Sequence, residues 1–180
     1  MARITKLFGK VTDVDATARY EQGVLYEDRL GKVYVYGKYD TGSGPVTCHK
    51  YHACVPYPAS NVIANGIFTA DFSDCPSSAL NRAVVSMGRH VTDGYYGFFA
   101  CKGLQAVEQA TTAAGIFTDG QPVYLTDDKT IAGVTATTVF TASNGTILNT
   151  LHAFGVAGEN SATTPTSATS NIFLYGIGYE

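Results

Sequence analysis

The stretch Asp93-Gly94-Tyr95-Tyr96-Gly97-Phe98-Phe99-Ala100-Cys101 decides the fold class. Asp-Gly is a turn signal, because both residues tolerate the backbone angles of a tight reversal. The aromatic run behind it suits a pleated, half-buried surface. Gly97 inside that run predicts a bulge or the close approach of another backbone. The same punctuation recurs on both sides. Upstream, Val33-Tyr34-Val35-Tyr36 lies between Gly31 and Gly37, and residues 41–45 read as a loop. Residues 46–55 then read as one extended stretch, closed by Pro56 and Pro58, which cannot donate to a sheet ladder. Residues 62–68 and 83–87 are further strand candidates, with a single helical turn expected over 77–82.

Downstream, residues 104–114 form the one helix candidate, weakened by Thr111 and Thr112, and residues 107–110 fit a strand as well. Asp119-Gly120, residues 123–125 and Asp127-Asp128 spell a strand between turns. Residues 134–141 alternate β-branched side chains into Asn144-Gly145, the strongest short hairpin signal, with 147–156 pairing back. Residues 161–170 are a polar, low-complexity loop, and 171–175 a terminal strand. Short strands at intervals of roughly ten residues predict an all-β fold, a small β-barrel or β-sandwich. Residues 1–25, with Arg3, Lys6 and Lys10 on a thin apolar skeleton, read as an extended N-terminal arm, either frayed or lying on a neighbour. Residues 26–180 form the β-rich domain, with a possible subdivision near residue 90.

Bulk properties narrow the function. The 180 residues are 45% hydrophobic and only 15% charged, so the surface must be covered by Thr, Ser, Asn and Gly. Charge is divided unevenly: residues 1–102 carry eleven Lys/Arg against nine Asp/Glu, and residues 103–180 carry Lys129 against six. Neither part has the basic stripe that nucleic-acid binding requires, and no apolar run spans a membrane. The N-terminus lacks the apolar segment of a signal peptide, which predicts synthesis in the cytoplasm and either retention or assembly into a particle there.

The sharpest chemical candidate is Cys48-His49-Lys50-Tyr51-His52-Ala53-Cys54, whose residue types are those of a zinc site. Extended, the segment would hold Cys48 and Cys54 about 20 Å apart at ~3.3 Å per residue, too far for one ion. A sharp turn at Lys50–Tyr51 would rescue it, with Cys75 or Cys101 as a further ligand. The reading adopted is a strand with two small buried thiols and two edge histidines. Pairing Cys75 or Cys101 with His90 or His152 yields no marked nucleophile. The carboxylate pairs Asp13/Asp15, Glu27/Asp28 and Asp127/Asp128 sit beside turns, where Asp bonds its own backbone. No catalytic, cofactor or metal residue is therefore assigned. Twelve Tyr and nine Phe are expected mostly in the core, with exposed tyrosines suited to protein or glycan contacts.

Taken in order, Gly94-Tyr95-Tyr96-Gly97-Phe98-Phe99-Ala100-Cys101-Lys102-Gly103, Gln105-Ala106-Val107, Ala113-Ala114-Gly115-Ile116, Gly120-Gln121-Pro122-Val123-Tyr124-Leu125, Ala153-Phe154-Gly155-Val156-Ala157 and Ile172-Phe173-Leu174-Tyr175 carry a resemblance. Over residues 90–180 the chain resembles the β-barrel of tailed-phage virion proteins of the capsid decoration (cement) or head-fibre type. That resemblance implies a non-enzymatic protein, often a homotrimer, that sits on the outer surface of the major capsid protein shell and stabilises it. It transfers no functional residue, cofactor or metal. The alternative it leaves open is a tail or head-fibre module that binds host-surface glycans through exposed tyrosines and loops such as 56–60, which holds Tyr57, and 160–170.

Overall fold

From Tyr96 onward the aromatic run lies in the longest strand among the described residues. The computed structural model describes residues 2–42, 47–58, 63–71, 82–108, 118–125, 131–133, 155–159 and 169–175. In chain order these give β1 (Arg3–Ile4), β2 (Val14–Asp15), β3 (Leu25–Glu27), β4 (Val33–Tyr39), β5 (Cys48–His49), β6 (Ala53–Pro56), a 3-10 turn (Ile63–Asn65), β7 (Ile67–Thr69), β8 (Val84–Ser86), β9 (His90–Val91), β10 (Tyr96–Glu108), β11 (Pro122–Leu125), β12 (Ile131–Gly133), β13 (Gly155–Ala157) and β14 (Thr169–Tyr175). The protein is all-β. Strands β4, β7, β6, β8 and β10 follow one another, and β10 pairs back onto β4, closing a five-stranded barrel. Closure leaves these five strands no free edge, which removes a template for aggregation.

Strand β10 serves two structures in succession. Its first part runs antiparallel to β4, Tyr96 opposite Lys38 and Ala100 opposite Tyr34. The register then shifts between Ala100 and Lys102. Gly103 follows at φ +93°, a conformation that costs glycine little. From Lys102 to Glu108 the strand pairs antiparallel with β14, which leads on through β13 and β11 to β12. The bulge expected at Gly97 therefore lies four residues further on, at Cys101. A Cβ on Gly97 would meet only Asp13 O at 3.6 Å, an ordinary contact.

The barrel strands are buried on both faces, so their side chains sort into two cores. One core takes Val35 and Tyr39 from β4, Phe68 from β7, Cys54 from β6, Val84 from β8, and Phe99 and Cys101 from β10. It draws on all five strands and so is the barrel lumen, filled rather than open. Phe68 and Phe99 meet there with centroids 4.6 Å apart. Gly37 faces the same space: a Cβ there would come within 2.6 Å of the Phe68 ring and of Gly66 O. Only glycine lets Phe68 cross that strand.

Alternate residues of the same strands, Tyr34, Tyr36, Ala53, Val55, Val85, Phe98 and Ala100, form the second core on the outside of the barrel. It continues under the β14 sheet through Val107, Ile172 and Leu174. Ile4, Leu7, Val11 and Tyr20 pack against it. Residues 2–25, where the sequence leaves open a frayed or neighbour-bound arm, thus make apolar contacts with the chain's own barrel. Backbone pairing accompanies them: β1 runs parallel to β3, and β2 pairs with the start of β10.

Other expectations shift on inspection. The strand expected over 62–68 is a 3-10 turn followed by β7. The helix candidate at 104–114 is strand as far as Glu108; the Gln105 and Val107 side chains are buried there, where alternation rather than helical period governs. Gly94 and Gly120 both take positive φ, as their Asp-Gly turns require. The terminal strand begins at Thr169. The helical turn up to residue 81, residues 109–114, the Asn144-Gly145 hairpin and the polar loop 161–168 lie outside the described residues.

Candidate functional site

Residues 46–55 do not run as one strand. After β5 the chain reverses at Lys50–Tyr51, and Tyr51 adopts φ +76°, rare for a residue with a bulky side chain. Three backbone bonds hold the reversal: Tyr51 N–H to Ser86 O at 2.8 Å, Ser86 N–H to His52 O at 2.9 Å, and Glu108 N–H to Tyr51 O at 3.0 Å. Because β8 and β10 set this geometry, the local sequence gives little sign of it. Replacing Tyr51 by valine, whose branched Cβ tolerates that conformation worst, is expected to cost about 1–2 kcal/mol in urea denaturation. Asparagine at the same position is expected to cost less.

The reversal brings the two thiols together. Cys48 Sγ and Cys54 Sγ are 3.5 Å apart and fully buried, against the roughly 20 Å of an extended segment. Cys48 belongs to β5, which among the described residues pairs with β9 in a separate two-stranded ribbon, whereas Cys54 belongs to the barrel strand β6. The two sulfurs therefore mark the seam between ribbon and barrel.

Burial opposes ionisation of both thiols. At Cys48 it is outweighed by the hydrogen bond from Cys54, by the nearby His52 ring and by the Ser86 hydroxyl, so this thiol titrates below its ordinary value. Burial and the neighbouring Cys48 push Cys54 well above. The Ser86 hydroxyl, buried and without a hydrogen-bond partner that meets full geometry among the described residues, lies beside Cys48.

His52 does not complete a metal site or a nucleophilic dyad. Its side chain is 4% exposed, so it is not the edge histidine expected from a straight strand. Nδ1 accepts the His49 N–H at 3.0 Å, and Nε2 lies 2.7 Å from Glu108 Oε2. Both ring nitrogens have partners within the chain, so the ring sits fixed beside the thiols. The ring instead ties the turn to the end of β10. Among the described residues no group of three or more His, Cys, Asp or Glu side chains is arranged to hold a metal ion. Glu108 and Ser86 carry no sequence signal, since each joins the cluster from a distant strand.

The remaining candidates fall elsewhere. The Cys101 thiol donates to Val33 O at 3.4 Å and is pushed by burial up to about 12, the signature of an inert core thiol. Cys75 and His152 lie outside the described residues. Asp13 and Asp15 are clamped by Arg19, whose guanidinium bonds both carboxylates and Phe8 O, and Asp15 also accepts the Tyr36 hydroxyl at 3.2 Å. That pair is a structural anchor for residues 2–25. Asp28 accepts Leu30 N–H and Lys32 N–H within its own turn, as expected, and also the Tyr34 hydroxyl. Asp127/Asp128 lie outside the described residues, as do 59–60 and 160–168 of the loops considered for glycan contact; Tyr57 is half-buried.

Exposed apolar side chains mark a second feature. On β14, burial alternates strictly, with Ser170, Ile172 and Leu174 inward and Phe173 and Tyr175 outward at 48% and 45% exposure. Phe173 is flanked by half-buried Leu104 on β10 and Val156 on β13. No family model matches the chain, and no curated protein or solved structure is significantly similar to it.

Proposed function

We propose that this protein is a non-enzymatic virion structural protein, a capsid decoration (cement) protein that binds the outer surface of a major capsid protein shell and stabilises it. The observation that carries the proposal is the outward row on the β14 sheet, where Phe173 and Tyr175 stand exposed beside Leu104 and Val156. Large aromatics presented on a rigid sheet are favoured where two proteins meet, because they cover much area at little entropic cost. The closed barrel supports the same reading as a stiff scaffold for a pre-organised contact surface. The low charge supports it too, since a charge-poor surface suits a chain that spends its life against partners. The resemblance over residues 90–180 supplies the partner: the shell protein, with the chain itself as a homotrimer, assembled from protein made in the host cytoplasm, on the capsid surface and without nucleic-acid or membrane contact.

The test is addition of purified protein to empty, expanded capsids of the phage that encodes it. Wild-type protein is expected to co-sediment with the shells and raise their melting temperature. Phe173→Asp/Tyr175→Asp is expected to weaken this binding by tenfold or more, a loss of about 1.4 kcal/mol or above, while its own urea midpoint changes little, both side chains being exposed. Wild-type protein that leaves the shells unbound overturns the proposal.

A further inference from the structure

We propose that Cys48 and Cys54 are a redox-active pair that a hydroperoxide closes into a reversible disulfide, stapling the β5–β9 ribbon to the barrel. This inference is independent of what the protein assembles with. Its basis is the 3.5 Å contact between the two sulfurs, produced by the reversal at Tyr51 and held by β8 and β10. A bond of about 2.05 Å requires the sulfurs to approach by only ~1.5 Å. The opposite shifts of the two thiols, Cys48 down and Cys54 up, accord with Cys48 reacting first.

Both sulfurs are buried, so oxidation must pass through local opening. The ribbon supplies it. Among the described residues β5 and β9 pair with each other and with no barrel strand, so lifting the ribbon breaks the side-chain packing of Cys48 and Val91 but no sheet pairing of the barrel, and costs less than global unfolding. That opening uncovers Cys48 first, because Cys54 is held in the closed barrel between β7 and β8.

The chemistry balances. With hydrogen peroxide, the Cys48 thiolate attacks one oxygen, an S–O bond forms, the O–O bond breaks and hydroxide leaves, giving a sulfenic acid. The Cys54 sulfur then attacks the Cys48 sulfur. The S–S bond forms, the S–O bond breaks, and the oxygen departs as water with the Cys54 proton. The proton lost earlier from Cys48 converts the hydroxide to a second water. Two electrons pass from the thiols to the peroxide, and a thiol reductant reverses the change.

The test uses the full chain, reduced, exposed to hydrogen peroxide, then denatured, alkylated and mapped by mass spectrometry. Trypsin cuts after Lys50, so the bridge joins peptide 39–50 to peptide 51–82. Because the latter also holds Cys75, the Cys75→Ser variant is run in parallel. The expected result in both proteins is a loss of two hydrogens, protection of Cys48 and Cys54 from alkylation, and a joined peptide pair that dithiothreitol separates. Cys101 is expected to remain alkylatable. Cys48 ending as sulfinic acid with Cys54 free, or a joined pair that vanishes in Cys75→Ser, overturns the inference. Recovery of both thiols unmodified after prolonged oxidation overturns it equally.

Discussion

Replacing Phe99 by alanine is expected to cost about 3–5 kcal/mol of unfolding free energy, read as a lowered urea midpoint at unchanged slope. Phe99 is fully buried in the barrel lumen against Phe68, and truncation leaves a hole bounded by strands already closed on one another. A closed barrel relaxes poorly around a missing ring, because moving one strand breaks pairings on both of its sides. Phe173→Ala, on the outward face of β14, is expected to cost under about 0.5 kcal/mol. The contrast between the two phenylalanines checks the assignment of faces: a comparable loss at both would contradict it.

The second large effect is alkaline. Tyr34 and Tyr36 are both pushed up to about 12, in each case first by burial. At Tyr34 the Asp28 carboxylate adds to that rise, and at Tyr36 the Asp15 carboxylate does, while contacts with Gln105 and with the Arg19 N–H respectively oppose it. Tyr39 in the lumen is shifted in the same direction. A tyrosine whose folded pKa exceeds its unfolded value near 10 contributes stability that is complete below pH 10. That contribution disappears as pH rises to about 12, because only the unfolded chain releases the proton in that window. Allowing for solvent screening, the loss is on the order of 1–2 kcal/mol for each of Tyr34 and Tyr36. Urea denaturation at stepped pH, with tyrosinate absorbance followed alongside, is expected to show stability steady up to pH 10 and falling steeply above it. Tyr36→Phe is expected to flatten part of that fall, although it also removes the hydroxyl that Asp15 accepts and Arg19 N–H donates to.

The Tyr36 contribution originates in how residues 2–25 meet the barrel. Tyr20, Tyr36 and Phe98 pack edge to face on its outer side, with Tyr20–Tyr36 centroids 5.1 Å apart and Tyr36–Phe98 5.0 Å apart. Over them Arg19 gathers Asp13, Asp15 and Phe8 O. The polar clamp satisfies the rim of an otherwise apolar contact, so the Tyr36 hydroxyl is buried with its partners rather than stranded.

Local composition alone predicted the all-β class, the strand at Val33–Tyr36, the aromatic strand after Gly94 and the turns at Gly94 and Gly120. Each rests on properties carried within a few residues: β-branched or aromatic side chains that suit a pleat, and glycines that accept positive φ. The tertiary structure decided what those strands build. Closure of the barrel depends on β10 returning to β4, a pairing across some sixty residues that no local preference encodes. It also turned an ambiguous helix at 104–108 into strand, because β14 offered that backbone a ladder.

The Cys48–Cys54 segment shows the same division. Its residue types were plain in the sequence, but their separation followed from assuming a straight strand. Bonds from Ser86 and Glu108, on strands far along the chain, hold Tyr51 in its unusual conformation. They reduce that separation to sulfur contact and turn His52 away toward Glu108. Local side-chain chemistry set which groups were present. Only long-range backbone pairing, whose energy comes from residues distant in the chain, set which of them meet.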